Sequence, residues 1–271
     1  MLKCIFYYLQ FQVLGIILLI CSLITGKTLK YYFSKYMVKI FDVKLRQKEG
    51  SNPISKQKEI FFLVNHTSWS DFFIDHALTG GTYLARWLAL LGMTILSIYM
   101  WGVHGEEGFV RKKGSRKNIE DLIMKVFKRT KNKQMIIYPE GTRNTTGKIQ
   151  ELKWGLIKIS YEKKIPCQIL MVSNKDKVFN EKKRTVNSGI NCDFYASTII
   201  DPKNYNDLQS YYDGITKLWK KTWEKAFDTN ISSNAFKIDK KRFSEHNRLD
   251  SNFRINTMRL IILIILGYFY L

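Results

Sequence analysis

The feature that most constrains this chain is a change of hydrophobic period between Glu59 and Leu78. Glu59-Ile60-Phe61-Phe62-Leu63-Val64 is a short apolar run with β-branched and aromatic content, which predicts a buried strand. Asp71-Phe72-Phe73-Ile74-Asp75-His76-Ala77-Leu78 reads as a helix, with Thr67 or Ser68 able to cap it. His66 therefore falls in a strand-to-helix turn at the carboxyl end of a strand, where open α/β sheets tend to hold ligands. On a regular helix the five positions from His66 to Asp71 would turn through roughly 500°, well off one face. The two side chains meet only if His66 stays in the turn and Asp71 lies in the first helical turn. Asp71 would then fix the imidazole tautomer and leave the other ring nitrogen free as a base.

The formal net charge of +21, from 44 Lys and Arg against 23 Asp and Glu, calls for an anionic partner or a compositional cause. Nucleic acid, an anionic membrane and anionic small substrates all fit that balance. The basic residues are scattered and form no recognisable nucleic-acid module, so nucleic acid is not an expected partner. A hydrophobic content of 45% excludes a disordered polyelectrolyte. The cysteines Cys4, Cys21, Cys167 and Cys192 lack metal-ligand spacing and read as free thiols in a reducing compartment. His66, Asp71 and His76 have no fourth ligand in view, so no metal is expected.

Ile5 to Thr25 is apolar over about 20 residues, enough to cross a bilayer as a helix. It lacks the cleavage site and basic start of a signal peptide. Lys27, Lys30, Lys35, Lys39, Lys44 and Arg46 follow it, which places the main domain on the cytoplasmic side of a membrane. In a eukaryotic cell the endoplasmic reticulum is the candidate. A second apolar stretch, Trp87 to Val103, is near the lower limit for a span, and the tail Leu260 to Leu271 is shorter still. Either could dip into the bilayer or pack on the domain.

Between these stretches, strands are expected over 135–138, 168–173 and 190–200, and helices over 119–127, 154–161 and 205–227. Residues 47–58 read as a loop. The alternation predicts an α/β fold, a membrane-associated mixed sheet flanked by helices with an N-terminal transmembrane helix. The expected division is an anchor and basic juxtamembrane segment over 1–46, a catalytic domain over 47–228, and a polar linker with a short apolar tail over 229–271.

A second motif, Tyr138-Pro139-Glu140-Gly141-Thr142-Arg143, also follows an expected strand. Gly141 permits a tight turn and close backbone approach to a ligand. Arg143 offers a planar, permanently charged fork suited to phosphate. Alone, each motif is compatible with an ordinary turn. Together on an α/β scaffold, both loops would open on one edge of the sheet.

The chain here resembles the glycerolipid acyltransferases, the lysophosphatidate acyltransferases in particular. Asn65-His66-Thr67-Ser68-Trp69-Ser70-Asp71 matches that family's first motif and Tyr138 to Arg143 its third, in the right order. Ile165-Pro166 and Leu152-Lys153-Trp154-Gly155 are weaker matches to later elements, and the resemblance runs from about Ile60 to Ser173. The second motif departs from the family pattern: Gly108-Phe109-Val110-Arg111 lacks an intervening residue, so Lys112 or Lys113 could stand in for Arg111.

The resemblance implies that His66 takes the proton of an acceptor hydroxyl attacking the thioester of acyl-CoA, with Asp71 orienting it. It implies that Glu140, Gly141, Thr142 and Arg143 hold the acceptor, with Arg143 and Arg111 on its phosphate and Lys153 beside them. Acyl-CoA is then a co-substrate, and no prosthetic group is called for. Membrane lipids, acyl-CoA and a lysophospholipid acceptor are the expected partners. The competing readings are acylation of another lysophospholipid or of glycerol 3-phosphate, and, in another class, a non-catalytic basic membrane-binding protein.

Overall fold

In the computed structural model, which describes residues 2–86, Leu96, Tyr99, 107–109, 116–129, 132–180 and 183–243, the run at 59–64 is the centre of a mixed sheet. In chain order the strands are β1 (Lys44–Lys48), β2 (Glu59–Val64), β3 (Thr82–Arg86), β4 (Glu107–Phe109), β5 (Lys133–Ile137) and β6 (Cys167–Val172). A small hairpin pairs β7 (Phe179–Asn180) with β8 (Thr185–Val186), followed by β9 (Asn191–Ile200) and β10 (Ser233–Ala235). The helices are α1 (Leu2–Thr25), α2 (Lys30–Ile40), α3 (Asp71–Thr79), α4 (Arg116–Arg129), α5 (Trp154–Lys163), the single turn α6 (Lys175–Val178), and α7 (Leu208–Phe227).

Eight strands form one sheet in the order β10-β1-β9-β6-β2-β5-β3-β4. The block from β6 to β4 is parallel, β9 runs antiparallel to β6, and β1 runs parallel to β9. β2 sits between β5 and β6, so both of its backbone edges are paired and both faces are covered. Ile60, Phe62 and Val64 pack with residues of α1, α2 and α3. Phe61 and Leu63 pack with α4, α5 and α7 on the other side. This double burial is why the strand reads as a continuous apolar run rather than an alternating one. Each of these phenylalanines contributes roughly 1.5–3 kcal/mol by leaving water.

The expected elements at 119–127, 135–138, 154–161, 168–173, 190–200 and 205–227 are present within a few residues as α4, β5, α5, β6, β9 and α7. Several elements are not among those expected. Residues 27–46, read as a basic juxtamembrane segment, contain α2 and the start of β1. β1, Lys-Leu-Arg-Gln-Lys, has one apolar residue; Leu45 faces the core while the rest of its strand character comes from pairing with β9 and β10. β3 and β10 also carry weak apolar patterns and owe their place to strand partners.

Helix α1 is long and apolar enough to cross a membrane by length and composition. One stripe of it, including Phe11, Leu14, Leu18 and Leu23, is buried against the domain. The opposite stripe, Leu9, Val13, Ile16, Ile17, Ile20 and Ile24, is exposed. The stretch 87–103 apart from Leu96 and Tyr99, the residue Arg111 and the tail 260–271 lie outside the described residues.

Candidate active site

Both motif loops leave the carboxyl ends of neighbouring parallel strands. Residues 65–70 follow β2 and residues 138–144 follow β5, and the strands pair from Glu59↔Lys133 to Leu63↔Ile137. The backbone N–H of Asn144 donates to the His66 carbonyl at 2.7 Å, and the His66 N–H donates to Glu140 Oε2 at 3.4 Å. The loops are therefore stitched to each other as well as to the sheet.

The His66 turn is shaped by side chains rather than by a regular cap. Ser70 occupies the N-cap position of α3 and makes no side-chain cap bond. Thr67 and Ser68, the expected caps, have other partners. Thr67 donates to Asp71 through its N–H at 2.6 Å and its hydroxyl at 2.8 Å. Ser68 and Ser70 hydroxyls donate to the Lys175 carbonyl at 3.3 and 2.5 Å. Asp71 at the first helical position is favoured by the helix dipole. The helix ends at Gly80, whose left-handed φ of 71° closes the last turn by a bond from its N–H to the His76 carbonyl.

His66 Nδ1 and Asp71 Oδ2 stand 2.7 Å apart. The His66 side chain keeps 24% of its surface exposed and Asp71 2%, so the imidazole is reachable while its partner is sealed. Burial acts to raise the Asp71 carboxyl, but the nearby Lys175 charge and the bonds from His66 and the Thr67 N–H outweigh it and hold Asp71 at about 2. An ionised carboxylate only accepts, so Nδ1 carries the proton and Nε2 presents its lone pair outward. The imidazole also stacks on Tyr138, with ring centroids 4.3 Å apart and planes 19° apart.

The second loop supplies a charged and a conformational element. Gly141 has φ +70°, and a Cβ there would meet Lys153 Cγ at 3.1 Å. Lys153 is tied to the loop by its N–H donating to the Pro139 carbonyl at 2.7 Å. Thr142 is exposed and Arg143 half-buried. Burial lowers the Arg143 guanidinium, and the nearby Asp71 carboxylate acts to raise it. Glu140 is 1% exposed and burial pushes its carboxyl up to about 7.

Of the sequence candidates, the structure thus brings together His66, Asp71, Glu140, Gly141, Thr142, Arg143 and Lys153, while Arg111 falls outside the described residues. His76 points elsewhere, with Nδ1 2.5 Å from the Ser34 hydroxyl under α2. A cavity of about 450 Å³ lined by Arg46, Lys48, Asp193 and Phe227 lies apart from these loops, at the β1–β9 side of the sheet. Its cations are engaged: Arg46 grips Asp193 at 2.6 and 2.9 Å, and Lys48 donates to the Asp228 carbonyl.

Residues 45–173 match the family model described as Acyltransferase. Over those residues the sequence is that of an acyltransferase-family domain. The matched segment opens in β1 and closes just past β6, so it contains both motif loops. In fold, the chain is similar to the 1-acyl-sn-glycerophosphate (LPA) acyltransferase PlsC from Thermotoga maritima. That likeness has a TM-score of 0.56 at 18% sequence identity and covers 73% of this chain and 79% of that one. No curated protein sequence matches the chain.

Sequence reasoning missed Asn65, Asp75, Tyr138 and Lys175 around the His66 pair. Asp75 had a usable signal, since it stands one helical turn after Asp71 on the same face. Lys175 had none, being one cation among the many in this chain.

Proposed function

We propose that this acyltransferase moves a fatty acyl group from acyl-CoA to the free hydroxyl of a lysophosphatidate-type acceptor, giving phosphatidate. The observation that carries the reading is the 2.7 Å His66–Asp71 pair standing beside the 140–143 turn at one sheet edge. His66 Nε2 accepts the hydroxyl proton as that oxygen forms its bond to the thioester carbon. The carbon–sulfur bond then breaks, and the imidazolium returns its proton to the departing thiolate. Asp71 stabilises the imidazolium without needing to change its own protonation. Arg143 binds the acceptor phosphate, with Arg111 as a second contact and Lys153 beside the Gly141 turn. Much of the rate gain comes from holding two substrates in line.

The exposed apolar stripe of α1 fits a domain held at the bilayer, where both long-chain substrates reside. The lysines after Thr25 favour a cytoplasmic placement. The test is transfer of a labelled acyl group from acyl-CoA to lysophosphatidate by the full chain in vesicles. A parallel His66→Ala chain should lose roughly 10²–10⁴ in rate while folding normally. Near-normal turnover without His66 would remove the mechanism, and transfer to other lysophospholipids but not to lysophosphatidate would replace the acceptor.

A further inference from the structure

We propose that Lys175 is a positioning residue for the His66–Asp71 pair, its buried ammonium keeping Asp71 apart from the second carboxylate, Asp75, and in the geometry that orients His66. Lys175 lies outside the segment that matches the family model, and the proposal rests on the reading of His66 as the base.

The Lys175 side chain is fully buried, and its three ammonium protons have matching acceptors. Nζ stands 2.7 Å from the Asn65 carbonyl, 2.9 and 2.8 Å from the two oxygens of Asp75, and 3.4 Å from Asp71 Oδ1. Its backbone also works on the same turn, because the Lys175 carbonyl receives the hydroxyls of Ser68 and Ser70. Asn65 exchanges side-chain bonds with Val172 at 2.9 and 2.8 Å, locking the end of β2 to the end of β6 and so to Lys175. The Tyr138 hydroxyl donates to Asp75 Oδ2 at 3.0 Å while its ring supports the His66 ring. A closed circuit results: His66 to Asp71, to Lys175, to Asp75, to Tyr138, and back to His66.

The ionisable groups whose charges bear on the ammonium are Asp71, Asp75, Glu140 and Cys192. Tyr138 and His66 complete the ring around the two aspartates. Two carboxylates this close, buried and without a cation between them, share a proton. Burial already lifts Asp75 to about 7 with the ammonium in place, whereas Asp71 stays at about 2. The ammonium touches both aspartates, and the bonds from His66 and the Thr67 N–H are what distinguish Asp71 from Asp75; Lys175 is the cation that keeps the two carboxylates from sharing a proton.

Lys175→Met tests this directly. With the cation gone, the two carboxylates share a proton, so Asp71 is no longer held fully ionised at pH 7, and transfer falls tenfold or more and recovers as the pH rises and the shared proton leaves, with little change in either KM; the order of magnitude follows the 1–3 unit effect of an adjacent opposite charge. Lys175→Met combined with Asp75→Asn removes the competing carboxylate, and the rate at pH 7 returns at least partway. A single variant with unchanged rate and pH profile, or a double variant no faster than the single, overturns the proposal. Asp75→Asn alone leaves Lys175 on Asp71 and should cost far less than His66→Ala, whether or not the single variant folds; an equal cost overturns the proposal too. A ¹⁵N-histidine spectrum reads the same network without turnover. A protonated His66 Nδ1 at pH 7 is expected in the wild type and the double variant, and its absence from the wild type counts against the circuit. A wild type that transfers no acyl group yet gives that spectrum would refute the acyltransferase reading and leave the network standing.

Discussion

The Asn144 N–H donates to the His66 carbonyl at 2.7 Å, joining the loop after β5 to the loop after β2. Asn144 is itself fixed by its side chain, which donates to the Lys148 carbonyl at 2.7 Å and accepts from the Thr146 N–H and hydroxyl. The His66 turn and the 140–143 turn are consequently one rigid unit, with Arg143 placed by the same peptide that holds His66. Positioning of this kind is what converts two bound substrates into an aligned pair.

Arg143→Lys should raise the KM for the acceptor by roughly 10–100-fold, the loss expected for one charged hydrogen bond, and leave that for acyl-CoA within a few-fold. Lysine keeps the charge and loses the planar fork. Initial rates with each substrate varied in turn read the split. A change confined to acyl-CoA would reassign Arg143 to the donor.

Gly141→Ala places a Cβ at φ +70°, against Lys153 Cγ at 3.1 Å. The left-handed conformation alone costs an alanine about 1–2 kcal/mol. Thermal unfolding should show a loss of that order, accompanied by weaker acceptor binding as the turn shifts. Unchanged stability together with unchanged acceptor KM would mean that the turn tolerates a side chain.

Glu140 gives a pH dependence of known sign. Its carboxyl stands at about 7 in the fold against 4.5 when unfolded, because burial disfavours the charge. Between those values the folded state holds a proton that the unfolded state has released, so stability falls as the pH rises from about 4.5 through 7. The contribution amounts to on the order of 3 kcal/mol across that window. Glu140→Gln removes it, so the variant's unfolding midpoint should decline less than the wild type's between pH 5 and pH 8, an interval that covers most of the steep region. Parallel slopes for the two proteins would contradict the buried, partly protonated Glu140.

The two stripes of α1 should respond differently to charge. Val13 is 55% exposed and Leu18 3%. Val13→Lys puts a cation into the outward stripe and should weaken flotation with lipid vesicles, by roughly 3 kcal/mol if that stripe sits in hydrocarbon, with the fold intact. Leu18→Lys should instead destabilise the fold. Undiminished flotation of Val13→Lys would show that the stripe does not meet lipid.

The sequence by itself determined the local pieces of this protein. The buried strand at 59–64 and the helix beginning at Asp71 follow from periodicity, and the placement of His66 between them follows from their ends. The 138–143 turn was legible because Gly141 and the preceding apolar run mark it within a few residues. What only the tertiary structure decided depends on strand order. β1 carries one apolar residue and becomes a strand through partners far along the chain, β9 and β10. Lys175 reaches Asp71 and Asp75 because β6 lies beside β2 and Asn65 ties their ends together. A lysine in a basic chain has no local mark that it will be buried. Its burial is favourable only where two carboxylates and a carbonyl already converge, and that convergence exists only in the assembled sheet.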